Sequence, residues 1–475
     1  MNQSVYRHTK IIFTIGPASN NPDMLARLLR AGVDVCRLNM AHADHDWTRE
    51  AIANVHAASE TEGRKVALMM DVKGPEIRTG HLDEPFQLER DDLFDFLLSP
   101  EAEPVREGVR GVRVNYPSLA EDVSVDDTVL VDSGLLRLRV AEIGKDRIRC
   151  SVRIGGELGS RRHINLPGVH VRLPALTSKD RSDIDTGIQS GIDFFALSFV
   201  RSPSDLDILR RYIRDRGSNA HIIAKIEDQS AITNLDDIIR ASDGLMVARG
   251  DLGIEIPYET LPLVQRRAVL ACQKMGKPAI VATHMLESMI QNPLPTRAEI
   301  TDIANAVFEQ ADCVMLSGET TVGKYPVECV DVMNRIILSI EAQAERKMND
   351  SISLKTPKDL LLKSAIMLSD AIPHCGVTVF TRSGYLARTL SALRSKRSPI
   401  YAFTDVEEVF QRLLLYWGVE PFLLSFSDDH EETIQKAFHR LKNRGWAESR
   451  DNMVVVSNIL AGSKIIDTIQ YRIVP

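Results

Sequence analysis

The chain has 475 residues, with 58 basic and 65 acidic side chains and a formal net charge of −7. That length allows about three domains, each large enough to bury its own core, and the lack of a basic excess argues against broad nucleic-acid binding. The six cysteines (Cys36, Cys150, Cys272, Cys313, Cys329, Cys375) form no CxxC pair, residues 1–10 are polar and no segment approaches membrane-span length, which together point to a soluble, untargeted protein of the reducing cytoplasm without zinc, disulfides or a membrane partner.

In chain order, short apolar runs at 10–16, 34–40, 65–72, 193–200, 221–228, 244–251, 278–285 and 313–319 read as eight strands. Amphipathic stretches such as 22–31, 206–214 and 261–274 lie between them. This βα alternation predicts a (β/α)8 TIM barrel formed by residues 1–73 and 173–348. Residues 74–172 are far too long for a βα loop and are expected to be an inserted domain. Its alternating runs at 135–140 and 147–152 suggest a small antiparallel β-barrel. Because insertions after a barrel strand emerge on the catalytic face, a lid over the mouth is its natural place. After the eighth strand, 327–347 reads as a long helix and 349–358 as a polar connector. Residues 349–475 alternate again, with strands expected at 377–381, 399–403, 421–424, 453–456 and 467–473, the pattern of an open α/β domain.

The barrel strands are apolar until they end, and they end in charge. The second closes on Arg37-Leu38-Asn39, the third on Asp71-Val72-Lys73, the fourth on Ser198, the fifth on Lys225 and Glu227, the sixth on Arg249-Gly250-Asp251, the seventh on Thr283-His284 and the eighth on Ser317-Gly318-Glu319. A lone Lys-x-Glu at a strand end is usually a solvated edge. So many polar ends in one barrel favour a site, because that rim is where such barrels place catalysis. Side chains alternate along a strand, so Lys225 and Glu227 point the same way and Asp251 reaches the same rim from the next strand. Glu227 and Asp251 are hard oxygen ligands for Mg2+ or Mn2+, and Arg37, Lys225 and Arg78 supply positive charge. Phosphoryl transfer fits that mixture, because its transition state needs electrostatic clamping more than covalent help.

These residues also resemble a known family. Thr14-Ile15-Gly16-Pro17-Ala18-Ser19, Arg37-Leu38-Asn39-Met40, Asp71 to Gly80, Lys225-Ile226-Glu227, Met246 to Gly253, Ala282 to Met289 and Pro295 to Glu299 closely resemble pyruvate kinase motifs, in family order and over almost the whole chain. The resemblance implies transfer of a phosphoryl group from phosphoenolpyruvate to ADP, with Mg2+ on Glu227 and Asp251 and Lys225 stabilising the group in flight. It places the substrate carboxylate near Gly250, Asp251 and Thr283, the phosphate near Arg37 and Arg78, and the nucleotide toward Asn39, His42, Arg78 and Arg162. Thr283, with Ser317 and Glu319 around a water, becomes the relay that protonates the enolate. A homotetramer is also implied. Several residues have plainer readings: Arg249 as a structural ion pair, His284 as a polar packing residue, Glu319 as an orienting group for Lys225 or Thr320, and Thr296 with Glu299 as a capping box.

Two departures stand out. The family's K+ cage is matched at Asn39 and Asp71, but Ala41 and Val72 stand where hydroxyl-bearing residues are usual, so an altered or weakened K+ site is expected. In the C-terminal domain Thr381-Arg382-Ser383-Gly384 resembles the family's phosphate loop for a sugar-phosphate or nucleotide effector. It lacks the final hydroxyl, and 457–464 offers no evident Trp or Arg partner. A helix cap is the alternative. Two other functions compete with the kinase: a metal-dependent pyruvate aldolase or lyase on the same barrel, and a catalytically degenerate scaffold or regulatory homologue.

Overall fold

The computed structural model describes residues 6–103, 105–106, 108–343, 348–461 and 464–475. Eight parallel strands, β1 (Lys10–Thr14), β2 (Val35–Asn39), β3 (Ala67–Val72), β4 (Phe194–Leu197), β5 (His221–Ile226), β6 (Gly244–Ala248), β7 (Ala279–Ala282) and β8 (Cys313–Met315), close into a barrel in which β8 returns to β1. The strand alternation divides the core in two. Ile11, Phe13, Ile222, Ala224 and Ile226 face the surrounding helices, while Ile12, Val35, Met69, Phe194, Ile223 and Met246 fill the interior. The helices follow the expected local chemistry. In Pro22–Ala31, for example, Asn21 caps the first turn, Gly32 at φ 97° ends the last, and Leu25, Leu28 and Leu29 form the buried face.

The strands are shorter than their apolar runs suggested. Residues 249–251, expected as the end of the sixth strand, open the short helix Arg249–Glu255, and Ser317 immediately precedes the helical turn Gly318–Thr321. The long helix expected over 327–347 runs Pro326–Gln343, and residues 344–347 lie outside the described ones.

The insertion is β-rich. Its main sheet orders Ile77–Arg78, His163–Asn165, Thr128–Val131, Leu136–Ile143, Arg147–Ile154, Leu93–Leu97, Val109–Arg113 and Val105–Arg106. Two details differ from a plain antiparallel barrel. Leu93–Leu97 and Val109–Arg113 pair in parallel, and the edges meet through a single bridge, Thr79 to Val114, rather than a ladder. The insertion rests on the barrel rim: Asn165 Nδ2 donates to Glu255 Oε1 at 2.7 Å, and Arg201 donates from Nη1 and Nη2 to the carbonyls of Val171 and Leu173 at 2.8 and 2.7 Å. Gly74, at φ 71° with the Ser198 carbonyl 3.1 Å from where a Cβ would stand, makes the exit turn.

The C-terminal domain is the expected open α/β sheet, ordered Val419–Leu423, Ile400–Thr404, Cys375–Phe380, Asn452–Ala461, Lys464–Ile473, with the last strand antiparallel. It plugs the end of the barrel opposite the lid. Phe410, Leu414 and Leu415 join the interior cluster of the barrel strands. Beside them Arg394, only 1 % exposed, donates to both oxygens of Asp312, which also accept the Trp417 and Ala279 amides. All six cysteines are buried and unpaired, and no helix among the described residues is long and apolar enough to cross a membrane. Substituting Asp312→Ala leaves the Arg394 guanidinium buried without its partner, a loss of about 3–5 kcal/mol. Urea unfolding followed by tryptophan fluorescence should register it, and an unchanged transition would show that the pair does not hold the two domains together.

Candidate active site

The parity that sends Ile12, Val35, Met69, Phe194 and Ile223 into the barrel also sends Thr14, Arg37, Asp71, Ser198, Lys225 and Glu227 inward one or two steps later, at the lid end. There they form one ionic network. Lys225 Nζ lies 3.1 Å from Asp71 Oδ1, 2.9 Å from Glu227 Oε1 and 2.6 Å from Ser198 Oγ. Arg37 donates from Nε to Asp71 Oδ2 at 2.8 Å and from Nη1 to Thr14 Oγ1 at 3.0 Å. The Phe199 amide donates to Glu227 Oε2 at 2.7 Å, across a left-handed turn with Phe199 at φ 53°.

Burial governs the charge states. It would lower the Lys225 pKa, but Asp71 and Glu227 outweigh it and hold the ammonium charged well above its usual value. Burial would raise Asp71, and Lys225 with Arg37 keeps it below its usual value. For Glu227, burial wins: together with the charges of Asp251 and Asp71 it pushes the carboxyl up to about 7 against the pull of Lys225. Asp71 was expected as a K+ ligand. In the structure its oxygens are engaged by Arg37, Lys225 and Ser198, making it the shared counter-ion of two cations.

Around this network the remaining rim residues take their places. The Gly250 amide donates to Thr283 Oγ1 at 2.8 Å, and Thr283 and His284 both adopt left-handed backbone, with φ 70° and 57°. Half-buried Asp251 sits in the first turn of Arg249–Glu255. Arg249 is the structural ion pair expected, donating to Asp302 Oδ1 at 2.6 Å and to the Thr283 carbonyl at 2.6 Å. His284 is exposed beside Glu287, and Thr296 with Glu299 forms the capping box. Glu319 orients neither Lys225 nor Thr320 through its carboxylate. Its oxygens accept the Leu286 and Ser317 amides at 2.9 and 2.7 Å, fixing the turns after β7 and β8. The Ser317 hydroxyl is buried and has no hydrogen-bond partner among the described residues.

Asn39 turns its Oδ1 back to accept the Ala41 amide at 3.2 Å, and His42 is exposed. Arg78 and Arg162 belong to the lid, on or beside the paired strands Ile77–Arg78 and His163–Asn165. Arg78 is tied to Glu76 at 2.6 Å and to the Arg161 carbonyl, and exposed Arg162 lies against Gly159 and 3.4 Å from Asp132. Together with Lys73 and Arg78, Glu76 forms an ion cluster at the lid junction. In the C-terminal domain, Thr381 Oγ1 accepts the Gly384 amide, Ser383 Oγ accepts the Tyr385 amide and Arg382 pairs with Asp405. They line an open cleft with Lys358 and His430. Of the 457–464 segment in which a partner was sought, residues 462–463 lie outside the described ones.

Sequence reasoning missed three contributors: Ser198 as the bridge between Lys225 and Asp71, Arg201 as the clamp on the returning lid connection, and the Asn165–Glu255 bond. Ser198 shares the inward parity of Ala196 and was within reach. The other two depend on how the lid docks.

Barrel, lid and rim together define an enzyme of the (β/α)8 class built to clamp a transferring anionic group. A family model described as pyruvate kinase, barrel domain, matches residues 6–330, and one described as pyruvate kinase, alpha/beta domain, matches 359–470. The chain is 41 % identical over 463 residues to plastidial pyruvate kinase 2 of Arabidopsis thaliana, covering 96 % of this chain and 78 % of that protein. It is equally 41 % identical over 471 residues to the pyruvate kinase of Geobacillus stearothermophilus, at the same coverage. A crystal structure of a pyruvate kinase from Cryptosporidium parvum matches with TM-score 0.93 at 35 % identity, over 99 % of this chain and 96 % of that one. The chain belongs to the pyruvate kinase family. It is a phosphotransferase that converts phosphoenolpyruvate and ADP to pyruvate and ATP, which sets aside the lyase and scaffold alternatives.

Proposed function

We propose that Lys225 is the group that neutralises the phosphoryl oxygens during transfer, with Asp71 and Glu227 holding it in place and charged. The observation that carries this assignment is an ammonium 8 % exposed, held within 3.1 Å of two carboxylates at the mouth of the barrel. A preorganised cation in a water-poor site is worth far more to a charge-spread transition state than one in solvent. Arg37, fixed by Asp71 and Thr14, directs its guanidinium to the substrate phosphate, and Arg78 serves the region shared with the nucleotide. Asn39, His42 and Arg162 lie toward ADP. The Gly250 amide, Asp251 and Thr283 receive the substrate carboxylate. Once the phosphoryl group has left, the enolate needs a proton at carbon. Thr283 and the unpartnered Ser317 hydroxyl, held by Glu319 through the Ser317 amide, form the relay we assign to that step.

Glu227 and Asp251 are the residues we assign to Mg2+ or Mn2+. Among the described residues no group of three or more His, Cys, Asp or Glu is arranged to hold a metal. A pair is sufficient for Mg2+, which takes much of its shell from water and phosphate oxygens, and the upward shift of Glu227 toward 7 marks a carboxylate whose charge is not fully compensated. When bound, the ion supplies Lewis-acid neutralisation of the phosphoryl oxygens. K+ fits less well. Asn39 Oδ1 is occupied by the Ala41 amide, Asp71 by two cations, and Ala41 and Val72 bring no hydroxyl. We therefore propose a weak K+ response, and assign no effector to the Thr381–Gly384 loop, whose hydroxyls cap its own backbone.

Pyruvate formation from phosphoenolpyruvate, ADP and Mg2+ tests these assignments together. Lys225→Ala should lower kcat by about 10²–10³-fold or more, the scale of removing a preorganised transition-state contact, and replacing K+ by tetramethylammonium should cost the wild type only severalfold. A mutant with unaltered kcat would remove Lys225 from the chemistry, and an absolute K+ requirement would refute the weakened cage. A homotetramer completes the reading. Exposed Tyr258, Leu263, Leu294 and Phe308 offer apolar surface for subunit contacts, and sedimentation velocity should find four-chain particles; a monomer at micromolar concentration would contradict it.

A further inference from the structure

The turn that follows β2 carries Asn39 and His42, and it is held from outside itself. Between those two residues the buried Met40 donates its amide to the Asp71 carbonyl at 3.0 Å, and its own carbonyl accepts Lys179 Nζ at 2.8 Å. We infer that Lys179 is a positioning residue for ADP: its ammonium, oriented by Asp183, fixes the turn that presents Asn39 and His42. The inference rests on the assignment of those two residues to the nucleotide.

The clamp is built on helix Ser178–Gln189, which follows the lid. Asp183 is wholly buried there, and its two oxygens serve two elements. Oδ2 accepts Lys179 Nζ at 2.6 Å from one turn back on the same helix, and Oδ1 lies 2.8 Å from Nε2 of His45, the first residue of helix His45–Glu62. The segment from Met40 to His45 is therefore tied at both ends to one carboxylate, through Lys179 at Met40 and directly at His45, and His42 stands between the ties. Burying a carboxylate brings no packing that an apolar side chain of similar volume would not bring. What it adds is direction. The Lys179 stem is half exposed and flexible, and two fixed acceptors, the Asp183 carboxylate and the Met40 carbonyl, give its ammonium one place to stand.

The turn needs those ties because its own bonds are long. The Asn39 carbonyl accepts the His42 and Ala43 amides at 3.3 Å each, and Asn39 Oδ1 accepts the Ala41 amide at 3.2 Å, all at or beyond the far end of the ordinary range. The same helical turn also gathers the stems of the lid. Asp180 Oδ1 accepts the Gly74 amide at 3.1 Å, where the chain leaves the barrel, and Oδ2 accepts the Thr177 amide at 2.7 Å, where it returns. One turn of helix thus sets the β2 loop and both lid connections, the two parts of the molecule that carry the residues assigned to ADP.

Steady-state kinetics of the full-length protein, with ADP and phosphoenolpyruvate varied separately, test the clamp. In Lys179→Met, which keeps the aliphatic stem, the KM for ADP should rise about fivefold or more while kcat and the KM for phosphoenolpyruvate stay within about twofold. Asp183→Asn should shift the same constant in the same direction. His42→Ala reports on the underlying assignment and should raise the KM for ADP as well, and in the double variant Lys179→Met with His42→Ala the two effects should combine to less than their product. An unchanged KM for ADP in Lys179→Met beside a raised one in His42→Ala would overturn the clamp and leave the nucleotide assignment standing; unchanged values in both would overturn both. A rise in Lys179→Met with His42→Ala silent, or a full product in the double variant, would detach the lysine from the turn. Equal rises in both KM values, or a loss confined to kcat, would mark a general distortion of the barrel. Each of these would overturn the inference too.

Discussion

A lysine ammonium buried between two carboxylates is costly, and the rest of this fold is arranged around meeting that cost. Removing these charges from water carries a penalty of several kcal/mol per ion, which mutual attraction repays only in good geometry. Here Asp71 is shared by Lys225 and Arg37, Glu227 is pinned by the Phe199 amide, and Ser198 bridges the gap. The contributors lie on β2, β3 and β5 and at the end of β4, so the network exists only when the barrel is closed in this register. Holding Lys225 charged while Glu227 is driven toward 7 leaves a site with strong fixed positive charge and an under-compensated carboxylate beside Asp251. Those are the two things a phosphoryl group and its metal ion need.

The barrel is polarised along its axis. Toward the C-terminal domain its interior is Ile12, Val35, Ala67 and Ile223, closed by Phe410, Leu414 and Leu415; toward the lid the same inward positions become Thr14, Arg37, Asp71 and Lys225. The apolar half gives the stability that pays for the ionic half. The lid is attached through the Arg201 clamp and the Asn165–Glu255 bond, among other contacts, and Glu255 lies on the same short helix as Gly250 and Asp251. Lid position and the residues we assign to the substrate carboxylate therefore share one short helix. Lid motions of this kind commonly gate catalysis.

Much of this was legible in the sequence. The eight apolar runs gave eight strands, because a parallel sheet covered by helices must be apolar on both faces. The length between the third and fourth strands announced the insertion. Where the reading slipped, the cause is physical. Strand ends were drawn too long at 249–251 because apolarity does not distinguish a strand from the first turn of a helix that follows it. Asp71 is of the residue type a K+ ligand needs; the cross-strand geometry that also gives it to Arg37 and Lys225 follows from inward parity. Glu319 was paired with the wrong partners because its work is on backbone amides, which no residue code records. Asn165 with Glu255 and Arg201 with Val171 join segments that only domain docking brings together.

The central claim is that Asp71 acts through the two cations it holds, Lys225 and Arg37, as their counter-ion and positioner, and has no separate contact with the transferring group. A double-mutant cycle with Asp71→Asn and Lys225→Met, read as kcat/KM for phosphoenolpyruvate, measures this directly. The account predicts strong coupling, about 2 kcal/mol or more, with the double variant falling below Lys225→Met only by the share that Asp71 exerts through Arg37. Losses that add to within about 0.5 kcal/mol would contradict it.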